Sequence, residues 1–243
     1  MLPKVSVPIY DLKLISNGKT IKYRPFTVKE EKLFLMAAEA NDVESVTTTI
    51  RQVVNNCILD EINIDDLPLF DLEYMFLNLR AKSVGEIVNL KYKCNNDVTD
   101  EEGNSHKCNN LVQIDFNVMD IEKPVVDKEL SKIQLTDNLG MIMKYPTFTV
   151  VEKYKDKEDA ETSMEIIIDC IDCIYDEDNV YYSKDYKREE LVEFVDSLQS
   201  KDLEKIKKFF DNIPVIHKKL DFKCNKCGYH EEIDVKGTES FFV

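Results

Sequence analysis

The spacing of apolar positions changes several times along this chain, and each change marks an element. Two apolar runs, Val7-Pro8-Ile9-Tyr10 to Ile15 and Ile21 to Tyr23, flank Ser16-Asn17-Gly18-Lys19. Asn-Gly supplies the positive φ angles that a tight turn requires, so a hairpin is expected over Val7 to Arg24. Thr27 followed by Glu30 fits a capping box at the start of a helix whose apolar side is Leu33, Phe34, Met36 and Ala37. Asp42 is placed to cap a second helix with the stripe Val43, Val46, Ile50, Val53, Val54 and Cys57. A third helix is expected over Leu67 to Lys82, with Pro68 in its first turn, Leu69, Leu72, Met75, Phe76 and Leu79 inward, and Gly85 after its end.

The period then falls to two. Ile87 to Cys94 and Cys108 to Phe116 read as strands, and the polar, acidic stretch Asn95 to Lys107 between them reads as an exposed, mobile loop. Asp120 to Leu139 reads as extended and loop-rich, and Gly140 to Val151 as a strand interrupted at Pro146. A helix is expected over Lys157 to Tyr175, a turn at Asp176 to Asn179 and a short extended piece at Val180 to Tyr182. Two further helices follow, Lys187 to Leu198 and Lys201 to Asp211, with Ser200 capping the second and Pro214 ending the helical region. Leu220 to Lys223 and Tyr229 to Val235 are strands around Cys224-Asn225-Lys226-Cys227-Gly228, and the tail carries Phe241 and Phe242.

The expected fold is α+β: an N-terminal hairpin and two groups of helices joined by a zinc-ribbon-like pair of cysteine hairpins. The layout divides at residues 1–118 and 119–243, each part ending in a cysteine hairpin, within one zinc-stapled body. A net charge of −15 repels phosphate backbones and argues against nucleic-acid binding. Lys201, Lys205, Lys207 and Lys208, interleaved with Asp202, Glu204 and Asp211, read as a solvated helix face. The longest apolar run is far short of the roughly 20 residues of a membrane span. Met1-Leu2-Pro3-Lys4-Val5 lacks the charged-then-apolar layout of a signal peptide, so folding in a cytoplasm is expected.

There are seven cysteines, an odd number with no secretory signal, which points away from a disulfide scaffold. Cys224-Asn225-Lys226-Cys227-Gly228 has the form of a zinc knuckle: two intervening residues let one turn aim both thiolates at an ion, and glycine permits the backbone angle after the second ligand. Leu90-Lys91-Tyr92-Lys93-Cys94-Asn95-Asn96 parallels Leu220-Asp221-Phe222-Lys223-Cys224-Asn225-Lys226, and Cys108-Asn109-Asn110 opens the returning strand. Cys94 and Cys108 therefore read as a knuckle expanded by insertion, with thirteen residues between them instead of two. The four together make the tetrahedral set of a closed structural zinc site, one ion per chain; iron suits the same ligands. Against this stands a redox role for Cys224 and Cys227 alone, but a redox pair usually opens a helix, and here a strand follows. His106 and His230 each lie near a ligand cysteine and are substitute ligands of lower rank. His217 reads as a surface or capping residue. Cys170 and Cys173 share CxxC spacing within an apolar helical pattern and read as core, as does Cys57. Asp97, Asp100, Glu101 and Glu102 lack the alternating spacing of an EF-hand loop.

No phosphate-binding glycine motif, H-E-x-x-H or G-x-S-x-G is present, and four thiolates leave no coordination position open for water. The expectation is a chain without catalysis or small-molecule substrate.

Tyr23-Arg24-Pro25-Phe26-Thr27-Val28-Lys29-Glu30-Glu31-Lys32, Lys144-Tyr145-Pro146, Leu203-Glu204-Lys205-Ile206, Phe209-Phe210-Asp211-Asn212-Ile213-Pro214, Phe222 to Gly228 and Gly237 to Phe242 follow in an order that resembles the T4-like phage baseplate hub proteins, which include a hub subunit and a hub assembly chaperone. In that family the first cysteine pair can itself be a close CxxC, and Cys94 and Cys108 depart from it. The resemblance implies a structural tail protein that binds other baseplate and tail proteins, found in the host cytoplasm during assembly and then in the virion baseplate. The alternatives are an assembly chaperone absent from the virion and an unrecognised zinc-ribbon enzyme or nucleic-acid factor.

Overall fold

The computed structural model describes residues 5–40, 43–155, 157 and 159–236. The expected cap Asp42, the motif Gly237 to Phe242 and the tail pair Phe241-Phe242 lie outside them. Within them the chain is α+β, with seven helices and small antiparallel sheets.

The hairpin is β1 (Tyr10–Lys13) and β2 (Thr20–Tyr23), with Leu12 opposite Ile21 and Gly18 at φ 73° in the turn. Helix α1 (Val28–Ala40) follows Thr27. Only half of the expected capping box forms: Glu30 accepts from the Thr27 backbone N–H at 2.8 Å, while the Thr27 hydroxyl donates to the same carboxylate at 2.6 Å instead of accepting from the helix. Arg24 explains this, because its guanidinium holds Glu30 at 2.9 Å and fixes that carboxylate as the shared acceptor. Met36, expected inward, is exposed, and Ala37 is buried. Helix α2 (Val43–Cys57) buries Ile50, Val53, Val54 and Cys57 at helical spacing. Helix α3 (Leu69–Ser83) buries Leu72, Met75, Phe76 and Leu79.

Strands β3 (Ile87–Lys93), β4 (Asp97–Thr99), β5 (Ser105–Lys107) and β6 (Leu111–Asn117) follow. The stretch read as a mobile loop is thus a short hairpin of β4 and β5 inserted between the long strands β3 and β6. Strand β7 (Lys132–Gln134) pairs with β8 (Gly140–Met143), a short strand within the stretch read as extended and loop-rich. The strand expected to run on to Val151 stops at Met143. Pro146 cannot donate to a ladder, and Thr147 caps α4 (Phe148–Tyr154) by accepting from the Val150 N–H. Helix α5 (Ala160–Asp169), capped by Asp159, ends where the sequence pattern continues. Ile171-Asp172-Cys173 alternates buried and exposed positions and forms β9 (Ile171–Tyr175), paired with β8. Strand β10 (Val180–Tyr182) closes a sheet of order β10-β9-β8-β7. Helices α6 (Arg188–Asp196) and α7 (Ser200–Asp211) follow, the latter capped from Gln199, one residue earlier than expected. The last hairpin is β11 (His217–Lys223) and β12 (His230–Lys236).

The chain folds into two compact units, one of Met1–Ile62, Leu72–Pro124 and Val215–Val243, the other of Asn63–Asp71 and Val125–Pro214. Both cysteine hairpins fall in the first unit because their inward residues, Val88 and Phe116 from one and Leu220 and Val235 from the other, share a core with Leu77 and Ala81 of α3. The second unit has its own core, in which Ile133, Met141, Met143, Cys170, Ile171, Ile206 and Phe209 are buried. Among the described residues, no helix is long and apolar enough to cross a membrane.

Candidate metal centre

Each long hairpin alternates, and its inward residues lead to the cysteines. On β11, Leu220 and Phe222 are buried between exposed Lys219, Asp221 and Lys223. Phe222 is fully buried, lies 5.0 Å from the ring of Tyr92 on β3, and belongs to the same apolar cluster as Cys94, Cys108 and Cys224. This packing sets the two strand ends side by side.

The turns themselves follow one hydrogen-bond scheme. In the close pair, the Cys224 N–H donates to Tyr229 O at 2.8 Å and the Gly228 N–H to Cys224 O at 3.0 Å. In the wide pair, the Cys94 N–H donates to Asn110 O at 2.9 Å and the Asn109 N–H to Cys94 O at 3.0 Å. Gly228 has φ 77° and Asn109 has φ 54°, so both pairs end in a left-handed residue. Glycine and asparagine are the types that tolerate this conformation at least cost. The insertion leaves the scheme intact because a bond from the Cys108 N–H to Asn96 O at 2.8 Å closes its base. Cys94 and Cys108 therefore stand in a backbone scheme equivalent to that of Cys224 and Cys227 despite their separation.

The four sulfurs lie within 4.8 Å of one another. Cys94 Sγ is 3.7 Å from Cys227 Sγ, and Cys108 Sγ is 3.8 Å from Cys224 Sγ. These distances are too long for a disulfide and compatible with a shared ion. A disulfide needs about 2.05 Å. A tetrahedron with metal–sulfur bonds of about 2.3 Å has edges of about 3.8 Å. The donor set fits a tetrahedral thiophilic cation such as zinc, with both hairpins contributing two ligands. Cys94, Cys108 and Cys224 are buried and Cys227 is partly exposed. The backbone N–H groups of Cys227 and Lys226 lead the effects that hold the Cys224 thiol down at about 6. Burial pushes Cys94 up to about 12, with the neighbouring thiols adding to the rise. Four like charges this close cannot all form unless a cation joins them.

The other predicted candidates lie elsewhere. His106 is exposed on β5 opposite Val98. His230 is exposed, with Nε2 3.8 Å from Asp221 Oδ1, and His217 pairs with Asp234 at 2.9 Å on the surface. Among the described residues, the cysteine quartet is the sole group placed to hold a metal ion, and no histidine belongs to it. Cys170 and Cys173 do not share a helix face, since one ends α5 and the other lies on β9; both are buried, as is Cys57. Of the basic residues on α7, Lys205 is held by Asp202 at 3.1 Å and by Gln134 O at 2.5 Å.

Two further side chains, outside the cysteine pattern, donate to the sulfurs. Asn110 Nδ2 donates to Cys224 Sγ at 3.5 Å and to Asn225 Oδ1 at 2.6 Å, and Asn96 Nδ2 donates to Cys227 Sγ at 3.7 Å. Their signal is the repeated Cys-Asn-Asn at 94–96 and 108–110, whose last residue is the donor each time.

No curated protein and no solved structure matches the chain. A protein-family model, that of T4 bacteriophage base plate protein, does match, over residues 7–243. The chain belongs to the family of the T4 bacteriophage base plate protein.

Proposed function

We propose that this protein is a structural component of a phage baseplate hub, binding other tail proteins as the baseplate assembles, and that one zinc held by Cys94, Cys108, Cys224 and Cys227 locks its two cysteine hairpins together. The observation that carries the metal reading is the meeting of four sulfurs from hairpins 116 and 133 residues apart in sequence, at spacings that suit a tetrahedral ion. Zinc in such a set supplies a rigid cross-link and no chemistry, because its four positions are filled. The ribbon-like pair of hairpins then presents a fixed surface to its neighbours in the tail. A net charge of −15 supports protein partners over nucleic acid.

Metal analysis of the purified chain is expected to find about one tightly held zinc per molecule. Cys94→Ser and Cys108→Ser are each expected to lose it and to lower the melting temperature; unchanged zinc and melting in these variants would overturn the cross-linked hairpin. Quantitative mass spectrometry of purified virions is expected to find the chain at fixed copy number. Its absence from virions, with tail proteins still co-purifying from infected cells, would make it an assembly chaperone instead.

A further inference from the structure

Asn96 and Asn110 lie on the first hairpin, yet both donate to sulfurs of the second. Asn110 spends both amide hydrogens across the joint, one on Cys224 Sγ and one on Asn225 Oδ1. That pairing fixes the orientation of the amide, since its oxygen would otherwise face a thiolate and a carbonyl oxygen. Asn96 reaches Cys227, the one partly exposed ligand. The backbone places both donors: Asn110 O accepts from the Cys94 N–H, and Asn96 O accepts from the Cys108 N–H.

A divalent ion bound by four thiolates leaves two negative charges on the sulfurs, within a chain that already carries −15. Electron density left on the sulfur makes it easier to protonate and easier to draw away from the ion. An N–H donor withdraws part of that density, and such outer partners typically change metal affinity about 10–100-fold.

We infer that Asn96 and Asn110 are positioning residues for the metal, gripping the second hairpin's thiolates from the first so that zinc release requires their bonds to break. The inference rests on the metal reading above. Zinc transfer from the full chain to a chromogenic chelator, and the sulfur-to-metal charge-transfer band of the cobalt(II) form, test it separately from that reading. Asn96→Ala and Asn110→Ala are expected to bind one ion but to release zinc about tenfold faster, and to shift the cobalt band to longer wavelength because the sulfurs become more electron-rich. Asn110→Asp, which keeps the shape but replaces the donor with a negative charge, is expected to release zinc fastest of all. Asn95→Ala, at an exposed neighbour, is expected to behave as the parent. Wild-type release and an unmoved band in all three variants at Asn96 and Asn110 would overturn the inference while the metal site stands. A parent chain that takes up neither zinc nor cobalt would overturn both.

Discussion

Glu30 shows how one side chain can tie folding to pH. Burial alone would raise its pKa, but bonds from Arg24 and from the hydroxyl and N–H of Thr27 more than reverse this and hold the carboxyl at about 2. A carboxylate lowered in the folded state stabilises it above the unfolded pKa of about 4.3, and that stabilisation is lost as pH falls toward 2. The shift corresponds to about 3 kcal/mol, the group being 3% exposed. Glu30→Gln is therefore expected to lower stability at pH 7 by about 2–3 kcal/mol and to flatten the loss between pH 4.5 and about 2. Denaturant unfolding at pH 7 and pH 3 checks it, and parallel acid limbs in the two proteins would contradict the assignment.

At the scale of elements, the insertion between β3 and β6 gives the sharpest test. Removing Asp97 through Lys107 joins Asn96 to Cys108 and leaves Cys-Asn-Asn-Cys, the spacing of the second knuckle. The Asn96 O to Cys108 N–H contact at the base of the insertion is already short. The shortened chain is expected to keep about one zinc and a melting temperature within a few degrees of the parent; loss of the metal would show that the inserted hairpin builds the site. The second knuckle was legible because its determinants are local: two cysteines, a glycine and flanking strands. Its distant partner was legible through the repeated strand-Lys-Cys-Asn pattern. The hairpin of β4 and β5 was not, because Val98 is its single apolar residue and its turn is made by Asp100, whose carboxylate accepts from the Glu102 and Asn104 N–H groups. The boundary between α5 and β9 was hidden for a different reason. Ile166-Ile167-Ile168 and Ile171 to Ile174 satisfy both periods, and pairing with β8 across the sheet decides between them. The asparagine donors left a signal in the repeated Cys-Asn-Asn, but their partners lie on the other hairpin, so the repeat by itself does not say what they bond.

At the scale of the whole molecule, three separated segments build the first unit and the cysteine cluster joins two of them. The second unit holds its own core and contributes no cysteine to that site. Chelating the zinc is accordingly expected to speed hydrogen exchange in β3, β6, β11 and β12 first, with β8 and β9 still protected. Simultaneous loss in both sets, followed by mass spectrometry, would show that the site supports the entire fold. The interleaving also sets a timetable for synthesis. Cys94 must wait for a partner 133 residues downstream, about ten seconds at ordinary translation rates. Over that interval the 125–214 stretch is itself being made, while the two thiols on the completed β3–β6 hairpin wait for the other pair. A chain truncated before Cys224 therefore has two of the four sulfurs, and on the proposed function it is expected to retain no zinc.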